Sequence, residues 1–331
     1  MQDWIALSDR NDPLEGAGAQ DLLEKGALIL EISLPLDGPV VLLDYQSNEG
    51  WRRGLSLFYD ARSGVRLLHR QGESVVHHTL AGPLPREQGV ARLTLRWDAP
   101  KRVWSLRYEV PDSGTLLEAR GNNPLPVPMG DLLAMCRGVG RRHGAVLWFG
   151  ATRGNDLPER APWIGLRTPI ATPFGLRHAG SLGVGDAVLT LGGGVQRVRS
   201  LRRMDLPSRG YFAPVLLRAP YFGHQIDILV SADQQVALSG PEVEYLFAED
   251  EVLAQARHLI DGRAALLDRR RAVTSCVSID LGAPEIMLSE GCALASTCHA
   301  APARLARRLL YSYEVVPLLA LLGRGNGSRA A

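Results

Sequence analysis

Between Ala27 and Val110 the sequence passes through seven short apolar stretches, ALILEISL, VVLLDY, GLSLFY, GVRLLHR, SVVHHTL, ARLTLRW and VWSLRYEV. This cadence limits the fold more than any other feature. Each stretch has strand length and carries its apolar residues mainly at period two. Between them stand turn clusters such as LDGP, DARSG and WDAPKR, whose Asp, Gly and Pro supply turn geometry. Strands at this spacing with no amphipathic helix among them predict an antiparallel sandwich. Beyond them, GNNPLPVPMG and RGNDLPERAP flank a hydrophobic island. Pro124, Pro126 and Pro128 mark a loop leading away from the sandwich. The island itself, GAVLWFGA, reads as a last sandwich strand. GVGRRHG at Gly138 to Gly144 has neither the spacing nor the Lys-Ser/Thr ending of a phosphate loop.

A chain of 331 residues with 46% apolar content is long enough for two domains, each burying its own core. The net charge is only +2 and the 37 basic residues form no dense block, which argues against a nucleic-acid partner. MQDWIALSDRNDPLEG carries acids and no apolar core of signal-peptide length, so the expectation is a cytoplasmic protein. GAVLWFGA and VVPLLALLG fall far below the roughly 18 residues that span a bilayer, and no membrane span is expected. Cys136, Cys276, Cys292 and Cys298 lack C-x-x-C pairing or histidines at short fixed spacing, so buried free thiols are expected and no metal or cofactor. Near the end, PARLARRLLYSYEVV (Pro302 to Val316) changes period. Leu305, Leu309 and Val316 fall on one side, and Arg304, Arg307 and Arg308 on another, as in one amphipathic helix opened by a proline and ending near Pro317.

Two resemblances extend this reading. The cadence of ARLTLRWDAPKRVWSLRYEV, from Ala91 to Val110, resembles laminin-G-like or concanavalin-like jelly rolls, which implies sugar binding at loop rims. Asp44, Asn48, Glu49 and Trp51 come nearest to such a rim, although a plain hairpin rim accounts for them as well. The second resemblance is carried by four blocks in order: TPIATPFGLRHAGSLGVGDAVLT (Thr168 to Thr190), DILVSADQQVAL (Asp227 to Leu238), EYLFAEDEVLAQARHLIDG (Glu244 to Gly262) and EIMLSEG (Glu285 to Gly291). Together they resemble the bacterial Hint domains of the hedgehog and intein class. The matching positions in the first block are Ile170, Thr172, Pro173, Gly175, Leu182, Gly185, Asp186, Val188 and Thr190.

What that resemblance implies is self-cleavage. A Cys or Ser at the first position of the domain attacks the preceding carbonyl, and the histidine of a Thr-x-x-His or Ser-x-x-His pair protonates the departing nitrogen. Here the family's nucleophile position falls on Trp163 or an immediate neighbour, in APWIGLRTP, and no Cys or Ser lies between Arg160 and Thr172. Ser231 keeps the hydroxyl of the pair, but the histidine position is Gln234, which does not shuttle protons near neutral pH. Pro284 stands where family members often carry a further histidine. Thr168, His258 and Cys298 are the residues on which relocated chemistry would have to rest.

The expected architecture is therefore mainly β. It comprises an antiparallel jelly-roll-like sandwich over 1–155, a linker over 156–162, an all-β Hint domain over 163–300, a helical segment over 301–323 and a tail over 324–331. The expected role is non-catalytic binding or assembly with a protein or glycan partner. The alternatives are an active self-cleaving protein and a carbohydrate-binding module in the sandwich.

Overall fold

The computed structural model describes residues 4–8, 21–154, 162–192, 194–297 and 307–325. The chain divides into two compact units, Gln2–Leu157 and Pro158–Ala331.

In the first unit each of the seven apolar stretches is a strand. One antiparallel sheet runs in the order Trp4–Leu7, Val146–Thr152, Lys25–Leu34, Gly89–Asp98, Val103–Val110 and Thr115–Asn122. The other runs Arg141–Arg142, Val40–Ser47, Arg53–Asp60, Gly64–Gln71 and Ser74–Ala81. The core contains alternate residues of both sheets, among them Leu28, Leu30, Leu55, Leu57, Leu93, Leu95, Leu106 and Tyr108. Trp97 is buried opposite Trp104 in the hairpin register, and its indole N–H donates to the Leu23 carbonyl at 2.9 Å. Burying a ring of that size contributes on the order of 4–6 kcal/mol before the cost of ordering it. The WDAPKR turn closes because Asp98 accepts the Lys101 N–H at 3.1 Å and Arg102 takes a left-handed conformation at φ 56°.

The island strand forms as expected, since Val146–Thr152 pairs with both Trp4–Leu7 and Lys25–Leu34. The proline-rich segment before it does not lead away from the sandwich. Val127–Pro128 pairs with Leu22–Leu23, and a short helix, Met129–Cys136, follows at once. That helix is held by burial of Met129, Leu132, Leu133 and Met135. Asp131 in its first turn accepts from the Tyr45 hydroxyl at 2.9 Å and from Arg53 at 3.0 Å.

The second unit is also antiparallel. A six-stranded sheet runs Ser200–Pro207, Val273–Asp280, Ile164–Gly165, Ile228–Val230, Val215–Leu217 and Ala265–Leu267. A four-stranded sheet runs Glu251–Gln255, Gln235–Ser239, Cys292–Ala295 and Ile286–Ser289. The first sequence block folds into a hairpin, Pro169–Thr172 with Gly175–His178, and the strand Ala187–Leu189. Its motif residues have local tasks. The Thr172 hydroxyl accepts the Phe174 N–H, Gly175 takes φ 105°, and Asp186 caps the Gly183 N–H at 2.8 Å while pairing with Arg177.

The C-terminal helix is Ser312–Gly325, with Pro317 inside it, and not the expected Pro302–Val316. Pro302 to Ala306 lie outside the described residues. Arg308 to Leu310 are extended, with the Leu253 N–H on the Arg308 carbonyl and the Leu310 N–H on that of Leu253, both at 2.8 Å. Helix begins where the Glu314 carboxylate accepts the Tyr311 N–H at 2.8 Å. Leu310, Val315 and Leu318 are buried, whereas Val316, placed on the apolar side by the sequence reading, is exposed. Arg307 pairs with Glu251 and Arg308 with Glu314.

Candidate functional site

The peptide bond between Pro162 and Trp163 leads directly into Ile164–Gly165, a two-residue strand flanked on both sides within the six-stranded sheet. Ile164 pairs with Val230 on one side and with Val277 on the other. That placement brings two hydroxyl-bearing residues to the junction. Trp163 donates its backbone N–H to Ser231 Oγ at 3.1 Å, and its carbonyl accepts the Ser231 N–H at 2.9 Å. On the other side of the same peptide bond, Ser278 Oγ donates to the Pro162 carbonyl at 2.8 Å. Ser278 Oγ also lies 3.1 Å from Thr297 Oγ1, which donates to the Ile279 carbonyl at 2.7 Å. The bond at the domain boundary is thus gripped at its carbonyl by one serine and at its nitrogen by another.

Gln234 follows Ser231 in a tight turn, with its N–H on the Ser231 carbonyl at 3.0 Å. Its side chain is 1% exposed, and its Nε2 donates to the carbonyls of Ala295 at 2.7 Å and Gln235 at 3.1 Å. Both amide protons are therefore committed to backbone. The Trp163 indole is buried as well. Three of the four family positions, Trp163, Ser231 and Gln234, are brought together by this network. The fourth, Pro284, is half-buried beside Glu285, whose N–H is held by Ser296 Oγ at 3.2 Å.

Of the other candidates, Thr168 is buried in the turn after Ile164–Gly165. Its N–H reaches the Gly165 carbonyl at 3.0 Å, and its hydroxyl has no hydrogen-bond partner among the described residues. His258 sits half-buried in the short 3-10 turn Ala256–Leu259, whose first N–H donates to the Gln234 carbonyl at 2.8 Å. Cys298 lies outside the described residues. Cys276, on the strand beside the junction, points its thiol at the Met204 carbonyl at 3.4 Å, and burial pushes that thiol up well beyond the ordinary range. Burial likewise raises Cys292 to about 12. Such thiols are poor nucleophiles. Among the described residues no group of three or more His, Cys, Asp or Glu is arranged to hold a metal ion.

Ser278 and Thr297 escaped the sequence reading because their approach to the junction depends on pairing across more than a hundred residues. The available signal was weak: a serine, now buried, within the apolar strand Val273–Asp280.

The second unit is a mainly β module, not the all-β one expected, since the helix Pro241–Phe247 interrupts its strands and Ser312–Gly325 follows them; its chain entry is held inside its largest sheet. Residues 166–301 form a Hint domain, matching the model of that family over this range. The chain resembles the Msm DnaB1 intein splicing domain bound with zinc at 21% identity, over 40% of this chain and 99% of that one, with a TM-score of 0.28. It resembles the Ruminococcus gnavus IT-sialidase CBM40 bound to alpha2,6 sialyllactose at 15% identity, over 42% and 80% of the two chains, TM-score 0.29. A third similarity is to the LG1-3 region of the laminin alpha2 chain, at 8% identity over 93% and 58%, TM-score 0.26. No curated protein matches the sequence. No helix among the described residues is long and apolar enough to cross a membrane.

Proposed function

We propose that the Hint domain of this chain does not cut its own backbone and serves as a folded module in a protein that binds a protein or glycan partner. The observation that carries this reading is the chemistry of the junction. A buried tryptophan occupies the position from which a thiol or hydroxyl would attack the Pro162 carbonyl. Indole carbon and nitrogen offer no lone pair for that attack, so the route itself is lost. Replacing the acid by Gln234, whose amide is locked on the Ala295 carbonyl, removes a further factor of about a hundred to ten thousand.

The test is the intact mass of freshly expressed protein, with and without thiol or hydroxylamine. A single species at the full-length mass of 36.0 kDa under all conditions is expected. Fragments ending at or near Pro162 would overturn the proposal.

A further inference from the structure

The Hint domain exposes two apolar faces of opposite charge. The first is built by the hairpin of the opening sequence block. Phe174, at the tip of that hairpin, is 96% exposed, and Leu176 and Val184 beside it are exposed as well. From Trp163 to Asp205 the chain carries six arginines, Arg167, Arg177, Arg197, Arg199, Arg202 and Arg203, against two carboxylates. Both carboxylates are engaged within the domain: Asp186 with Arg177, and Asp205 with the Ser275 hydroxyl at 2.6 Å. Arg197 donates to the Gly185 carbonyl at 2.9 Å and Arg203 to that of Leu182 at 2.7 Å, on either side of Val184. Those acceptors are neutral, so the charge of both guanidiniums is left uncancelled. Acids on neighbouring segments do not supply the balance, since Asp280 is buried on the Gly282 N–H and Glu285 accepts from Gln196.

The second face is formed by the helix Pro241–Phe247, the turn after it and the start of Ser312–Gly325. Between Gly240 and Gln255 stand five carboxylates and no basic residue. Only Glu251 of the five has an ion-pair partner among the described residues, which is Arg307. Tyr245 is 82% exposed among these acids. Tyr311 and Tyr313, also exposed, stack on each other at 5.6 Å with their planes 6° apart. The Arg308 guanidinium lies 5.5 Å from the Phe247 ring and joins the two segments into one surface.

The four-stranded sheet keeps these faces apart. The helix Pro241–Phe247 packs beside Gln235–Ser239 and the edge strand Glu251–Gln255, whereas the first-block strands pack beside Ile286–Ser289, the opposite edge. Three strand spacings of about 4.8 Å separate the two edges. The faces thus sit on opposite flanks of the domain, where neither covers the other.

We infer that copies of this chain associate head to tail through the Hint domain, the arginine-ringed hairpin of one seated on the acidic, tyrosine-bearing face of the next. Phe174 and Leu176 meet the tyrosine rings, and the arginines meet carboxylates that have no partner within their own chain. Tyrosine and arginine are the residues that protein interfaces concentrate. A nucleic acid or an anionic lipid surface would answer the basic face alone, whereas a second copy answers both faces with one contact. Because the faces differ, the contact is heterologous and builds a chain or a ring. This inference names the protein partner of the binding role proposed above and rests on that reading; cleavage at the junction is read separately, by intact mass.

Sedimentation velocity of the full-length protein over a range of concentrations tests it. At low salt the mass is expected to grow beyond two chains as concentration rises, and association should weaken at least tenfold at high salt. The variants F174D/V184D and E244Q/Y245S/E249Q change exposed side chains, one on each face, and each should be monomeric while retaining the parent circular dichroism. Mixed in equal amounts they should form a species of two chains that grows no further, because each variant keeps one working face. A parent protein that stays monomeric overturns the inference, including one that instead binds phosphatidylserine vesicles as a monomer. Undiminished association by either variant, or a mixture that stays monomeric, overturns the head-to-tail contact. None of these outcomes alters the intact-mass result.

Discussion

Lowering the pH from 8 to 5 should destabilise the sandwich through two histidines that fold into its core. His69 and His78 occupy inward positions on the paired strands Gly64–Gln71 and Ser74–Ala81, both are buried, and His78 packs against Trp104 at a ring distance of 4.5 Å. Burial first, and then the charge of a nearby histidine, His78 for His69 and His77 for His78, lowers each from 6.5 to about 4. The folded state thus holds both rings neutral where the unfolded chain protonates them. Stability is complete above pH 6.5 and falls as the pH drops towards 4, because over that window the unfolded state takes up protons that the native state refuses. At 1.36 kcal/mol per pH unit, the gap corresponds to about 3 kcal/mol for each histidine when fully developed and about 2 kcal/mol at pH 5. Two histidines acting together give about 4 kcal/mol, a large part of the 5–15 kcal/mol typical of a domain. The assay pairs urea unfolding at pH 8 and pH 5, read by hydrogen exchange in the strands 64–71 and 74–81, with NMR titration of the ring protons. His78→Leu should remove about half of the pH dependence. An unfolding free energy that does not change between pH 8 and pH 5, or ring protons of these two residues that titrate near 6.5, would refute the reasoning.

Two further outcomes follow from the junction and its surroundings. Restoring the lost groups in the double variant W163C/Q234H should produce thiol-accelerated cleavage after Pro162, and W163C alone should cleave slower by about a hundredfold to ten-thousandfold; an uncleaved double variant that is folded by circular dichroism would show that the serine grip does not present the carbonyl to attack. In the native protein, peptide mapping after brief alkylation at pH 8 should find Cys276 and Cys292 unmodified, since burial keeps both protonated; rapid labelling of either would contradict that placement.

Local chemistry explains which parts of this fold were legible beforehand. Strands such as Gly64–Gln71 and Val103–Val110 announced themselves because they bury one face and their apolar residues alternate, whereas Lys25–Leu34, Gly89–Asp98 and Val146–Thr152, buried at most positions, showed as near-continuous apolar runs of strand length. Thr115–Asn122 was not named as a strand, and its burial pattern explains why: lying at the sheet edge, it has no fully buried residue, only alternating half-buried and exposed positions. Met129–Cys136 is eight residues long, too short for a helical period to stand out beside three prolines. The displaced C-terminal helix shows the reverse problem. A period was visible from Pro302 onward, but pairing of Arg308 to Leu310 with Leu253 holds that segment extended, and the Glu314 cap decides where helix begins. At the candidate site, Trp163, Ser231 and Gln234 were found by their spacing within sequence blocks. Ser278 and Thr297 belong to other strands and meet the junction only through sheet order.

On the proposed reading, the junction links loss of chemistry to gain of packing. A cysteine at position 163 would give up most of an indole that is 5% exposed, and removing so large a buried side chain typically costs about 3–5 kcal/mol. A histidine at position 234 would exchange an amide that satisfies two backbone carbonyls for a ring carrying a single proton when neutral, leaving one of those acceptors unmet at a further cost of about 1–3 kcal/mol. Both replacements that would restore a reactive pair therefore weaken the module that holds them. The two serines impose no such conflict, because each hydroxyl is satisfied by the intact peptide bond: Ser231 accepts from its nitrogen and Ser278 donates to its carbonyl. Hydrogen bonds of the kind that would orient a scissile bond for attack here fasten the chain entering the Hint domain to the centre of its sheet.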